Sequence, residues 1–510
     1  MPNYVRYEDF GAIGDGIHDD FDAIKAAHEY ANANGLDVIC NSNGTYRIGN
    51  TSIDETEAKP AIKIQTNVDW SNAKFIIDDS DITEDMPAKK NALFRICRDG
   101  EDIIFTEEND TPNGAIKRIN AEGGFKANIS RLNLGIGYSA MLLVTNDEKK
   151  VYIRYGVNSN SGGAQREIVS VDSDGFVDPN TAFLLDYGKV TSITVMRTDD
   201  KPITVSGGRF THIANRVNHN EYYHRNISIS RSNVTVRGVT YSIEGEGEVG
   251  APYSGFIGIN KANNVLIEDC VLQAHKYYYF PKKNGVLVPK GTYSINLGNS
   301  NNVTFKGCTQ SNFFDDEGKN PRKGIWGIMG SNFCKNLVYD SCVLSRFDAH
   351  AGVYNAKILN SKISAFRIIG GGEIKIQNTH VYSNTLIGLR EDYGSTWNGD
   401  LILENVTLHN TKAPTLIYGQ WYNHDFGYQT YLPQRIVFDN LQITEGEDFF
   451  LYGEKLVEQS QSALREEIDG AQNVNKTAPT KELIIKNNIQ GLEYKLPETE
   501  FFSKTKLINK

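Results

Sequence analysis

The sequence predicts an all-β solenoid, a parallel β-helix, and three observations carry that prediction. A six-residue phrase of apolar, variable, apolar, polar, turn and small positions occurs nine times in the 510 residues. Its two closest spacings, 19 and 18 residues, suit one bare coil, and the longer ones suit a coil with a loop. No helical periodicity lies between the copies, which disfavours a leucine-rich or other helix-containing solenoid.

The copies begin at Val234, Val265, Val303, Leu337, Ala356, Ile374, Leu401, Ile436 and Leu483. First and third positions are always apolar, the alternation of a strand with one buried face. The fifth is only Gly, Asp, Ser or Asn, residues that accept left-handed or tight-turn backbone. The sixth is mostly small or apolar, so Cys270, Cys308 and Cys342 are expected as packed thiols in an inward column. None of the six cysteines forms a Cys-x-x-Cys pair, so neither a zinc site nor a dense disulfide framework is indicated. Composition agrees, since 46 Gly, 26 Tyr and 23 Phe against 14 Pro favour short strands and tight turns.

The balance of 53 basic and 63 acidic side chains gives a net charge of −10, without the basic field that a nucleic-acid backbone needs. No apolar run approaches the roughly 20 residues of a membrane helix, so membrane insertion is not expected. Residues 1–4 lack a basic and apolar signal segment, so the chain is expected to be unsecreted or written without its leader.

Residues 1–50 read as an N-terminal cap. Asp9-Phe10-Gly11-Ala12-Ile13-Gly14-Asp15-Gly16 is a glycine-bent loop leading through Asp19 and Asp20 into a helix over 21–34, where Phe21, Ile24, Ala27 and Ala31 recur at helical spacing. Such a helix covers the open end of a solenoid. Asp15, Asp19 and Asp20 suit turn formation and helix capping, with a calcium site as the alternative. This run, with Ala23-Ile24 and with Gly44-Thr45-Tyr46 before the first coil, resembles the opening of the pectate-lyase-like superfamily of right-handed parallel β-helices. The resemblance implies right-handed coils and a carbohydrate-active protein, because the superfamily holds polysaccharide lyases, glycoside hydrolases and phage tailspike depolymerases. It stops short of a catalytic apparatus. The Asn-x-Asp, Asp-Asp and Arg-x-Lys set of polygalacturonases is missing, as is the aspartate cluster with arginine of calcium-dependent pectate lyases.

First coils are expected over 51–96. Over 97–217 the phrase disappears and alternating segments around 151–155, 167–171 and 193–197 read as a β-rich insertion, with Asp172 and Asp174 as turn residues rather than calcium ligands. The main helix follows over 218–453. A helical stretch at 456–468 and a closing strand make up 454–510. No cofactor is expected; calcium is conceivable at the aspartates above but not indicated.

Chemistry on a β-helix must sit on outward positions and on the longer loops. In the strand preceding one phrase, Phe347 and Ala349 share one parity, while Arg346, Asp348 and His350 share the other. The next coils add Arg367, then Arg390 and Asp392, and the coil before offers Trp326. Stacked at about 4.8 Å per coil, these form a patch three or four coils tall, with Trp326, Tyr393 and Trp397 able to lie flat against sugar rings. His275 and Lys276 are expected either in aromatic packing or at substrate, and Glu246 either overhanging the groove or simply solvated.

Three functions compete. Asp348 and Asp392, two coils and about 9–10 Å apart along the stack, would suit an inverting glycoside hydrolase, whose carboxyls stand about 6.5–9.5 Å apart. Hydrolysis is slightly favoured, because the acidic groups of the patch are readily assigned as acid and base. A column of Arg346, Arg367 and Arg390 beside His350 would instead suit a lyase acting on uronic acids, with the cations neutralising the sugar carboxylate and the imidazole or a tyrosinate taking the neighbouring proton. The third is a phage tailspike or adhesin that binds surface polysaccharide. The partner is in each case an oligo- or polysaccharide, the protein is a monomer or homotrimer, and its place is extracellular or on a virion.

Overall fold

The computed structural model describes residues 3–49, 52, 61–82, 91–154, 162–215, 222–246, 253–273, 278–281, 285–290, 293–315, 317–318, 320–321, 328–410, 412–421, 426–444, 448–461, 477–487 and 494–510. Thirty strands join in one sheet that winds through successive coils with parallel pairing throughout. Val234, Val265, Val303, Leu337, Ala356, Ile374, Leu401, Ile436 and Leu483, the first residues of the nine phrases, pair one above another in a single column. All nine fifth positions are left-handed, from φ 50° at Asn378 to 66° at Gly238. Where that position is Asn its amide also bonds to the coil below: Asn378 donates to Asn360 at 3.1 Å, Asn405 to Asn378 at 3.2 Å and Asn440 to Asn405 at 2.9 Å. The described sixth positions, Cys270, Cys308 and Cys342 among them, are at most 3% exposed, and these thiols are free.

The phrase therefore forms the second of three strand columns, with the tight turn leading into the third. The first column runs through Ile62–Ile64, Phe94–Cys97, Ile227–Ser230, Ile257–Asn260 and Ile295–Gly298 to the opening residues of the strands Ile328–Asp340, Ala351–Leu359, Gly370–Gln377 and Trp397–His409. The inward side chains of all three make one continuous core.

At the start, the helix Phe21–Asn34 buries Phe21, Ile24, Ala27, His28 and Ala31 against the first coils. Asp20 accepts from the Ile13 amide at 2.7 Å, and Asp15 from those of Ile17 and His18 at 2.8 and 2.9 Å, so both carboxylates fasten the glycine-bent loop. At the other end the helix Glu454–Gln459 precedes the strands Glu482–Lys486 and Lys506–Asn509. The stretch expected as helix beyond 461 lies outside the described residues.

The insertion is a lobe with its own core: strands Ile103–Thr106, Ala140–Val151, Gly163–Val171 and Ser192–Arg197 form an antiparallel sheet over the helix Ala115–Ala121. It is shorter than the expected 97–217, because Ile203–Ile213 pairs with Val68–Asp78 and belongs to the solenoid. Asp172 takes the amides of Asp174 and Phe176 at 3.0 and 2.9 Å, making the turn. The lobe folds back on later coils. Lys335 Nζ meets Glu167 at 2.6 Å and the Ala182 carbonyl at 2.8 Å in a fully buried contact, and the Tyr152 and Tyr354 hydroxyls meet at 3.0 Å. No described helix is long and apolar enough to cross a membrane.

Candidate functional site

The strand Val343–Asp348 turns Phe347 inward, 2% exposed, and Ala349 follows it into the core at 0%. Arg346, Asp348 and His350 take the other parity. Asp348 stacks on Arg367, and Arg367 on Gly388, whereas Arg346 stacks on Ala365. The three arginines are thus staggered and do not form the expected vertical column. The Arg367 guanidinium lies over Gly388, in the space that a Cβ there would take.

After the strand Thr385–Leu389 the chain makes a single 3-10 turn, Glu391–Tyr393, closed by Gly394 at φ 81°. That turn brings Arg390 and Asp392 to the same side. Arg390 grips Asp392 through Nε and Nη2 at 2.8 and 2.7 Å, and its Nη1 reaches Asp348 at 2.8 Å. One guanidinium so joins the two carboxylates, while Arg346 takes the other oxygen of Asp348. The lobe contributes the remaining member: Arg154 Nε lies 2.6 Å from Asp392, and its Nη1 lies 3.5 Å from His350 Nε2. Each aspartate is therefore shared between two guanidiniums. Tyr393 underlies the group, with His350 edge-on at 6.0 Å and Arg390 and Arg154 over its ring at 5.3 and 5.7 Å.

Electrostatics follow from this packing. Burial by itself would raise the Asp392 carboxyl, but its bonds to Arg390 and the charge of Arg154 outweigh it and hold the pKa below the usual range. His350 is pushed down to about 4, first by burial and then by Arg390, so the imidazole is neutral near pH 7. Burial also lowers Arg367, which lies over the Tyr418 ring at 5.9 Å; Tyr418 in turn donates to Glu391 at 2.9 Å. Tyr293 is close enough to feel Arg346, Asp348 and Arg390, and burial raises its pKa.

A scan against protein-family models finds no match, and neither does a search of the curated proteins. Among solved structures, the tailspike protein gp49 of Pseudomonas phage LKA1 matches 99% of this chain and 84% of its own, with a TM-score of 0.50 at 11% identity. The fold is a right-handed parallel β-helix. PfbA, a surface adhesin of Streptococcus pneumoniae, aligns over 99% of this β-helix and 89% of its own chain at 12% identity and a TM-score of 0.43. The gp54 tailspike of Acinetobacter baumannii bacteriophage AP22, solved with a capsular saccharide, aligns over 99% and 79% at 10% and 0.33.

On this β-helix Arg346, Asp348, His350, Arg390, Asp392 and Tyr393 come together, and Arg367 lies one strand above Asp348. Trp397 does not serve as a sugar platform: it opens its strand pointing into the core and is 0% exposed. Tyr393, 4% exposed, offers only its edge, because the arginines cover its face. Glu246 follows the strand Thr240–Glu244, three strands or about 14 Å down the stack from Val343–Asp348, beside Tyr241 and away from the network. Trp326, His275 and Lys276 lie outside the described residues. Arg154 and Tyr293 were not expected. Nothing local marks Arg154, since its partner is 238 residues further along the chain. No group of three or more His, Cys, Asp or Glu side chains that could hold a metal ion occurs among the described residues.

Proposed function

We propose that this protein binds an acidic polysaccharide at the Arg154, Arg346 and Arg390 network and cleaves it by β-elimination, with His350 as the base. The observation that carries this reading is the neutral imidazole between guanidiniums. Arg154 approaches His350 Nε2, which places the lone pair on that nitrogen and the proton on Nδ1. A uronate carboxylate docking on Arg154 draws the guanidinium away and frees the lone pair. Its negative charge also raises the proton affinity of the imidazole as the reaction starts. His350 then takes the proton beside the carboxylate, the electron pair forms the carbon–carbon double bond, the glycosidic C–O bond breaks, and the leaving oxygen takes a proton from water.

Hydrolysis by Asp348 and Asp392 has less support. Both carboxylates are engaged by two guanidiniums, and Asp392, held below the usual carboxylate range by Arg390 and Arg154, has no proton for a leaving group. The likeness to a phage tailspike over nearly the whole chain supports a second reading, a receptor-binding spike or adhesin on a virion or cell surface.

The test is incubation with a panel of acidic and neutral polysaccharides, following reducing ends and the ultraviolet absorbance of unsaturated uronates. Both signals should rise on an acidic polymer and vanish in His350→Ala. Reducing ends without absorbance would mean hydrolysis; binding without either signal, from a trimer in light scattering, would favour the spike.

A further inference from the structure

A second groove lies on the outer face of the first strand column, among its N-terminal coils. Its volume is about 440 Å³, and among the described residues no carboxylate lines it. Lys63 and Arg95 stand directly opposite one another on adjacent strands, both exposed, and neither forms an ion pair among the described residues. Like charges facing each other across a strand pair cost stability, so their pairing at about 4.8 Å is an arrangement that an anion would relieve. The floor is polar and narrow. Ser228 stacks on Arg95, Gly258 on Ser228, and Ser230 and Asn260 lie along the same outward rows.

Asn226 belongs to the same lining. It lines the groove, is only 4% exposed, and spends its amide N–H on the Gly255 carbonyl at 3.0 Å, while its Oδ1 is buried with no hydrogen-bond partner. Leaving such an acceptor unsatisfied costs about 1–3 kcal/mol. Gly258 gives this amide its room, since a Cβ there would come within 3.0 Å of Asn226 Nδ2. Paired cations for a carboxylate and two serine hydroxyls together describe a ligand that is anionic and hydroxylated.

We infer that this groove is a separate binding site for an acidic saccharide, with Lys63 and Arg95 on the sugar carboxylate and Ser228 and Ser230 on its hydroxyls. The inference rests on the proposed function only for the class of polymer. The groove shares its sheet with the candidate site: from Ile227–Ser230 four strand steps, about 19 Å, lead to Ala351, the neighbour of His350. A polymer lying along the helix axis engages both, so the groove retains the chain while the network acts further along it.

Titration calorimetry with oligogalacturonate, hyaluronan oligosaccharides and neutral maltooligosaccharides tests this on the full chain. At least one acidic oligosaccharide should bind and the neutral one should not. Lys63→Ser with Arg95→Ser, both at exposed outward positions, should weaken binding at least tenfold and flatten its salt dependence. Ser228→Trp, which fills the groove and leaves both cations, should weaken it as well. His350→Ala should leave groove binding unchanged while abolishing cleavage. Absence of acidic binding in the native protein, or equal binding by both groove variants, overturns the site. Full cleavage by His350→Ala with groove binding intact overturns the proposed chemistry alone.

Discussion

Arg154 of the lobe and Asp392 of the solenoid meet at 2.6 Å across 238 residues of sequence. The candidate site is therefore assembled from two separately cored units, and the lobe is part of it. Arg154→Ala is expected to lower kcat/KM on an acidic polysaccharide about 10- to 100-fold, the worth of one charge-assisted hydrogen bond. The melting temperature should hardly move, because Asp392 keeps Arg390. Steady-state kinetics beside a thermal melt check both parts.

The acid limb of activity should fall at about pH 4. His350 titrates there, burial and Arg390 having lowered it, so the base is available at neutral pH and is lost as the pH drops through that value. A pH profile of kcat/KM on short oligomers gives the limb directly, and a midpoint near 6.5 would mean an exposed imidazole.

Stability should also decline in acid, through His28. This side chain is fully buried under the cap, meets the Tyr7 hydroxyl at 2.9 Å, and has its pKa pushed down to about 3 by burial. The unfolded chain binds this proton below about pH 6.5 and the folded chain only below about 3, so stability is highest above the first value and falls between the two. The loss amounts to on the order of 4 kcal/mol. Melting curves from pH 7 to 4 should fall more steeply for the native chain than for His28→Gln.

Glu167 and Lys335 form the buried ion pair that docks the lobe. Burial raises the one and lowers the other despite their attraction, so each depends on its partner to stay charged. Lys335→Met should cost about 3–5 kcal/mol in urea unfolding, and adding Glu167→Gln should recover part of that loss.

At Asn378 the backbone sits at φ 50°. Asn378→Ala should destabilise the coil by about 1–3 kcal/mol, since it brings left-handed strain and breaks the amide ladder, whereas Asn378→Gly loses only the two ladder bonds, to Asn360 and from Asn405. A comparison of the two melting temperatures separates these contributions.

The solenoid was legible because its signal is local. Alternation within four residues and a turn residue after them recur, and each phrase stacks on the one before, from Val234 to Leu483. Outward parity also identified Arg346, Asp348 and His350 within one strand. It failed where the strand ended: the 3-10 turn at Glu391–Tyr393 resets the alternation, so Trp397 points inward although it was expected to face sugar. The stagger of Arg346 and Arg367 depends on register between coils of unequal length. Arg154 depends on how a whole lobe docks, for which no short stretch of sequence carries a signal.

A bare solenoid behaves as a row of neighbours, each coil supported only by those beside it, and frays from its ends. The lobe changes that behaviour. It leaves the chain after the Phe94–Cys97 coil yet is fastened to Lys335, Tyr354 and Asp392 several turns on, so it straps non-adjacent coils together. Opening the middle of the stack must also undo the strap, which makes the central coils one cooperative block and leaves gradual fraying to the two ends.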